Sequence, residues 1–180
     1  MIWLHDQWLF VETGVMNDFD WTALYAARRA WIDALQDLQS VEPAELEVLL
    51  TDAIANPDRR RYALLAMADL PHLGQLAIPA VVNEALTGQA HVGDALVVLV
   101  RVPRELVIEE IDRRCESDIE SGDEWTMWRM AQLLETLGEY GRLRDWARHM
   151  QTAGDEDLRE AGEDILVRLA EDAAGENSAE

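Results

Sequence analysis

The chain has 180 residues, an apolar content of 49% and a formal net charge of −21, and its fifteen basic residues are all arginine. This composition is sufficient for one domain with an ordinary core, and it excludes a disordered acidic polymer. The charge argues against binding to nucleic acids or anionic membranes, because both interactions require clustered cations on the protein.

The lack of a recognisable targeting signal and the low cysteine content favour a cytoplasmic protein. Cys115 is the single cysteine, so a disulfide framework is excluded. The first residues lack the basic region of a signal peptide, and no apolar run has the length of a membrane-spanning helix. We therefore expect a chain that works inside the cell.

The chain begins with an aromatic segment, residues 1–20, for which the pattern does not distinguish a helix from a strand. From Trp21 to Leu169 apolar residues recur with the helical period. The first predicted helix has Leu24, Trp31 and Leu38 on one face, with a cap near Asp20. A second helix carries Pro43 in its first turn, and Asn56 is predicted to cap a third that begins at Pro57.

The third helix is predicted to end at Pro71, followed by a turn around Gly74. A fourth helix begins near Ile78, and the next pair covers residues 92–102 and 104–115. Two more helices follow an acidic loop at 116–123, and their apolar stripes end at Leu137 and Met150. A final helix is predicted to cap the array, and residues 171–180 are predicted to be a disordered acidic tail.

The helical hairpins repeat with a period of about 32 to 35 residues, which is typical of solenoids. The segment 58–67, DRRRYALLAM, followed by AIPAVV at 77–82, resembles a HEAT-type repeat. This resemblance implies a right-handed α-solenoid of HEAT-like hairpins across residues 21–170, with about eight or nine helices. It also implies a protein-binding surface, which is the usual function of such arrays.

No pattern in the chain points to a catalytic, cofactor-binding or metal-binding site. The four histidines are scattered, and we interpret Asp145 and His149 as a surface pair one helical turn apart. Asp18 and Asp20 are sufficient as helix caps. Cys115 lies on an apolar stripe, where a core thiol is the default.

The strongest candidate site is an acidic edge on the sixth predicted helix. Glu105, Glu109, Asp112 and Glu116 have the spacing i, i+4, i+7 and i+11, so they lie along one side of the helix. The following residues Asp118, Glu120 and Asp123 extend this edge. Their repulsion is predicted to be relieved in part by pairs from Glu109 to Arg113 and from Glu110 to Arg114.

Two further features qualify this picture. Arg142, Arg144 and Arg148 form one basic spot, which we expect Glu135, Glu139 and Asp145 to balance. Trp125 and Trp128 could close the core of the last hairpin or serve as an exposed anchor, and packing is the default interpretation.

The small, acidic, helical and cysteine-poor chain is similar, at the level of its class, to bacterial immunity proteins. The leading hypothesis is a non-enzymatic inhibitor that covers the active surface of a basic toxin or effector with its acidic edge. One alternative is a general HEAT-like scaffold or adaptor with two separable binding surfaces. Another is a small-molecule pocket closed by the N-terminal aromatic residues Trp3, Trp8, Phe10, Phe19 and Trp21.

Overall fold

A computed structural model describes the backbone of residues 21–118 and 124–176, and the side chains of residues 21–114 and 125–171. All regular structure in these ranges is α-helical, which confirms the predicted all-α class. The described helices are α1 (Trp21–Gln39), α2 (Pro43–Ala55), α3 (Pro57–Asp69), α4 (Pro71–Leu76), α5 (Ile78–Thr87), α6 (Val92–Leu99), α7 (Arg104–Asp118), α8 (Glu124–Thr136), α9 (Tyr140–Met150) and α10 (Glu156–Glu176).

The chain divides into two compact units, residues 1–41 and residues 42–180. In the first unit, α1 has its predicted apolar stripe, but none of its residues is buried. Trp31, Leu35 and Leu38 on this stripe are half-buried. The predicted cap at Asp20 lies outside the described residues. No helix in the described ranges is both long and apolar enough to cross a membrane.

The prediction of about eight or nine helices is too low, because the segment after Asp69 is itself helical. The sequence suggested a turn around Gly74, whereas α4 covers this position and places Gly74 in a buried site. Pro71 occupies the first turn of α4, where a missing N–H costs no hydrogen bond. Proline therefore ends one helix here and starts the next without an intervening loop.

Prolines and an asparagine lie at the starts of three further helices. Pro43, Pro57 and Pro79 all lie in the first turn of their helices. The side chain of Asn56 accepts a hydrogen bond of 2.9 Å from the backbone N–H of Asp58, which caps α3. These local signals account for the positions at which α2, α3 and α5 begin.

The core of the second unit is formed by the predicted stripes of leucine, valine, alanine and methionine. In α9, for example, Leu143, Trp146, Ala147 and Met150 are all buried, as predicted. The indole Nε1 of Trp146 donates a 3.1 Å hydrogen bond to the carbonyl of Met127 in α8. Helix α5 packs against α6, α7 and α8, and α9 packs against α8 and α10.

Close helix packing also requires small residues at particular positions. Gly162 in α10 is buried against α9, and a Cβ atom placed there would lie 2.6 Å from the carbonyl oxygen of Ala147. Gly138 has a φ of 68° in the turn between α8 and α9, a conformation that L-residues adopt at a cost. Both positions favour glycine for physical reasons.

Arginine side chains tie neighbouring helices together. Arg101 donates to the carbonyl of Ala68 at the end of α3 (2.5 Å), and Arg60 donates to the carbonyl of Ile54 near the end of α2 (2.7 Å). Arg129 of α8 donates to the carbonyl of Gly88 after α5. The last carbonyls of a helix lack intrahelical partners, so a guanidinium there satisfies acceptors that would otherwise need water.

Candidate functional site

The predicted acidic edge lies on α7, and its first three carboxylates are exposed. Glu105 and Glu109 form no ion pair with any described residue, and Asp112 lies one further turn along the same side. These residues line an open depression of about 510 Å³ together with Ile108, Arg104 and Glu139. The structure therefore brings Glu105, Glu109 and Asp112 together as the spacing predicts.

The side chains of the remaining residues of the predicted edge lie outside the described part of the structure. Glu116 and Asp118 belong to the last turn of α7, and their side chains lie outside the described residues. Glu120 and Asp123 lie outside the described ranges altogether, as does the side chain of Cys115. The site can be described at its N-terminal half, from Glu105 to Asp112.

Asp112 is engaged in an ion pair between helices, a feature that sequence reasoning missed. Arg142 of α9 donates from Nε to Oδ1 (3.0 Å) and from Nη2 to Oδ2 (2.9 Å) of Asp112. This paired geometry is the one in which a guanidinium binds a carboxylate most strongly. Hydrogen bonding to Arg142 lowers the pKa of Asp112 below its ordinary value. Asp112 therefore contributes less free negative charge to the edge than its spacing suggested.

The same ion pair extends into a short network at the end of the edge. Arg142 also donates to Glu139 (3.1 Å), and Glu139 accepts a 2.7 Å bond from Arg104 at the start of α7. The predicted balance between Arg142 and Glu139 is thus present, and Arg148 pairs with Asp145 at 2.9 Å. Glu135, which was predicted to balance the same basic spot, pairs instead with Arg168 of α10. Within the described part of the edge, these contacts leave the unpaired charge at Glu105 and Glu109.

On the opposite flank of α7, Glu110 is buried and holds two arginines. Arg113 donates to both of its carboxylate oxygens (2.6 and 2.8 Å), and Arg114 donates to Oε1 at 3.0 Å. Burial opposes ionisation of Glu110, but the bonds and charges of both arginines outweigh it and lower its pKa. The predicted pair of Glu110 with Arg114 is therefore present, whereas Arg113, which was predicted to pair with Glu109, bonds to Glu110.

Arg114 also reaches the neighbouring helix α5. Its Nη1 donates to Oδ1 of Asn83 (3.1 Å), and its Nη2 donates to the carbonyl of Pro79 (3.2 Å). Helix α7 is consequently tied to α5 by Arg114 and to α9 by Arg142. These ties fix the orientation of α7, so the exposed Glu105 and Glu109 are presented by a rigid element.

A second surface lies between α6 and α8, and we call it the Trp groove. It has a volume of about 720 Å³. The residues that line it are Gln89, Val92, Gly93, Leu96, Trp125, Trp128, Arg129 and Gln132.

Sequence reasoning favoured packing for the two tryptophans of this groove, and that interpretation is wrong. Trp125 is 72% exposed and Trp128 is 42% exposed. The apolar stripe of α8, which includes Met127, Met130 and Leu134, turns its buried side away from them. The signal was present in the sequence, because Trp125 and Trp128 are out of phase with that stripe.

The other sequence-based sites receive no support as chemical centres. Asp145 accepts a bond from Arg148, and the ring of His149 lies 5.7 Å from that of Trp146. No group of three or more His, Cys, Asp or Glu residues in the described chain could hold a metal ion. Of the N-terminal aromatic residues suggested for a small-molecule pocket, Trp21 alone is described, and it is 55% exposed.

No protein-family model matches this chain, and no curated protein or solved structure matches it significantly.

Proposed function

We propose that this chain is a non-enzymatic protein-binding module, an acidic immunity or inhibitor protein that covers the active surface of a basic toxin or effector. The observation that carries this proposal is an asymmetry of charge, namely a net charge of −21 with the carboxylates Glu105 and Glu109 exposed on α7. Arginines such as Arg101, Arg114 and Arg129 are bound to the protein's own carbonyls and carboxylates.

This asymmetry matters because it determines which charges a partner meets. Because the net charge is −21, carboxylates dominate the field around the chain. A field of one sign speeds encounter with a partner of the opposite sign and disfavours partners of the same sign. A basic surface that normally binds a nucleic acid or another anion is the complement of such a field.

The polar ties between helices support a HEAT-like solenoid as the architecture of this module. Arg101 to Ala68, Arg114 to Asn83 and Arg142 to Asp112 join residues 33, 31 and 30 positions apart. Such separations match the repeat period of the sequence, as expected when each hairpin packs on the next. A right-handed stack of this kind would align α5, α7 and α9, with the acidic edge on the middle helix.

The test is capture of a partner from lysate of the source cell by the immobilised chain at low and at raised salt. We expect one predominant basic protein, released by salt, that no longer binds the variant Glu105→Arg/Glu109→Arg. The matched control is Glu160→Arg/Glu163→Arg, which makes the same change in net charge at exposed positions of α10. The captured protein's activity should be inhibited at a one-to-one ratio of the two chains.

Two outcomes would contradict this proposal. If both charge-reversal variants lose the partner equally, overall charge rather than the acidic edge governs binding. If the retained proteins are acidic or insensitive to salt, the basic-partner hypothesis is wrong.

One structural feature favours a second candidate, a scaffold or adaptor. The acidic edge belongs to α7, whereas the Trp groove is lined by α6 and α8 and the residues around Gln89. An adaptor would bind two different proteins at these surfaces at the same time. Recovery of a ternary complex, disrupted at one partner by edge variants and at the other by groove variants, would select this candidate.

A further inference from the structure

The Trp groove exists because two helices that flank α5 do not close on each other. Helix α5 packs against both α6 and α8, and α3 packs against α6. Helices α6 and α8 make at most a marginal contact within the described chain. A gap therefore remains where neighbouring hairpins of a repeat array would normally bring their first helices together.

The walls of this gap are apolar and accessible. Trp125 and Trp128 line it from α8, and the half-buried Val92 and Leu96 line it from α6. Burial of such aromatic surface is a dominant contribution to binding at protein interfaces. The groove thus offers binding energy that the folded chain does not use.

The apolar surface continues along α6 beyond the groove. Gly93, Val97 and Val100 have the spacing i, i+4 and i+7, so they follow one line of the helix surface. Val97 is 41% exposed and Val100 is 50% exposed. An eight-residue helix is roughly 12 Å long. This length is sufficient for about two turns of a helix laid alongside.

Arg129 is the charged residue of the lining, and its guanidinium is already engaged. It donates a hydrogen bond to the carbonyl of Gly88 and lies 6.0 Å from the centre of the Trp125 ring. Arg129 therefore orients Trp125 rather than offering a free cation to an anionic ligand. The amide side chains of Gln89 and Gln132 add neutral polar groups to the lining.

Charge decides which occupant this apolar groove accepts. A second copy of the chain would bring another net charge of −21 against the first, and long-range repulsion opposes that association. A segment with an apolar face and a basic outer face buries apolar surface in the groove and is attracted by the negative charge of the chain. Acidic proteins with apolar grooves bind amphipathic basic helices by this combination of contacts.

We infer that the Trp groove binds the apolar face of an amphipathic basic helix presented by the partner protein. The inference rests on the proposed function, since it takes the partner to be basic. Apolar residues at i, i+3 or i+4, and i+7 of that helix pack between Trp125, Trp128 and Leu96. Its lysine and arginine residues face outward into the negative field of the chain.

The inference can be tested without the partner, using a synthetic peptide as the probe. The probe is a 14-residue peptide with leucine at the positions of one helical face and lysine elsewhere. Two control peptides are used. The first has the same composition in scrambled order. The second keeps the pattern but has glutamate in place of lysine. Binding of each fluorescently labelled peptide to the full chain is measured by anisotropy at physiological ionic strength.

We expect the patterned lysine peptide to bind and both control peptides to bind at least about tenfold more weakly. The variant Trp125→Ala/Trp128→Ala should raise the Kd of the patterned peptide by about tenfold or more, as hot-spot removal does. The matched control is Tyr62→Ala/Tyr140→Ala, which removes two exposed aromatic side chains outside the groove and should leave the Kd unchanged. Far-UV circular dichroism confirms that each variant is folded.

Several results would overturn the inference. Equal binding of the scrambled peptide would show diffuse charge attraction, and equal binding of the glutamate peptide would show that charge has no part. An unchanged Kd in Trp125→Ala/Trp128→Ala would place the peptide elsewhere. If the free chain dimerises and this variant abolishes the dimer, the groove binds a second copy of the chain.

Failure of this inference is distinguishable from failure of the proposed function. The peptide assay does not depend on the acidic edge, so it can fail while Glu105→Arg/Glu109→Arg still releases a captured basic partner. In the reverse case the groove binds the basic peptide, but no basic protein is recovered from lysate.

Discussion

Replacement of Arg114 by lysine tests whether the arginine ties hold the helices together. The side chain of Arg114 is 17% exposed. It bonds to Glu110 on its own helix and to Asn83 and Pro79 on α5. A lysine ammonium keeps the charge, but as a compact group it does not reproduce the planar array of donors that spans these acceptors. The variant therefore removes the tie to α5 and retains the net charge.

The expected cost follows from the bonds that are lost. Two hydrogen bonds to neutral acceptors, Oδ1 of Asn83 and the carbonyl of Pro79, contribute about 0.5 to 1.5 kcal/mol each. The interaction with Glu110 is retained in part, because Arg113 still donates to both carboxylate oxygens. We expect Arg114→Lys to lower the free energy of unfolding by about 1 to 3 kcal/mol.

The measurement is urea denaturation followed by far-UV circular dichroism, with Arg148→Lys as the matched control. The Arg148 side chain is 62% exposed and pairs with an exposed Asp145, so its replacement should change stability by less than about 0.5 kcal/mol. Equal stability of the two variants would refute the reasoning, because it would mean that the bonds from Arg114 to α5 contribute nothing beyond charge.

Two other predictions address packing and pH. Gly162→Ala should destabilise the chain by about 1 to 3 kcal/mol, because the added methyl group meets the backbone of α9. In the same denaturation assay, Gly141→Ala should be neutral or stabilising, because a methyl group there meets no atom within 4 Å. The native chain should be more stable than Glu110→Gln, and this advantage should be fully present above the ordinary glutamate pKa of 4.5. It should disappear as pH falls through the lowered pKa of Glu110, because protonation removes the carboxylate charge that the two arginines stabilise in the folded state. A pH-independent difference between these two chains in an acid titration would contradict that assignment.

The helices were predictable because their signals are local. Apolar periodicity placed the stripes of α5, α8 and α9, and Pro43 and Pro57 marked the starts of α2 and α3. The same rule failed at Pro71, because a proline that breaks one helix is equally suited to begin another. Nothing within a few residues of Pro71 distinguishes a turn from the single short helix that follows it.

The acidic edge was predictable as a spacing but not as an electrostatic surface. Helical geometry alone places Glu105, Glu109 and Asp112 on one side. The pairing of Asp112 with Arg142 depends on where the fold places Arg142 of α9 relative to α7, which is information that helical spacing does not contain. The presence of the Trp groove has the same origin, since it requires the knowledge that α6 and α8 remain apart.

The arginine ties also bear on how the chain folds during synthesis. The bonds made by Arg101, Arg104, Arg114 and Arg142 to other helices join residues between 30 and 35 positions apart. Each tie can therefore form when one further hairpin has left the ribosome, and none of them waits for the end of the chain. Contacts of such limited range permit rapid folding that proceeds from one hairpin to the next.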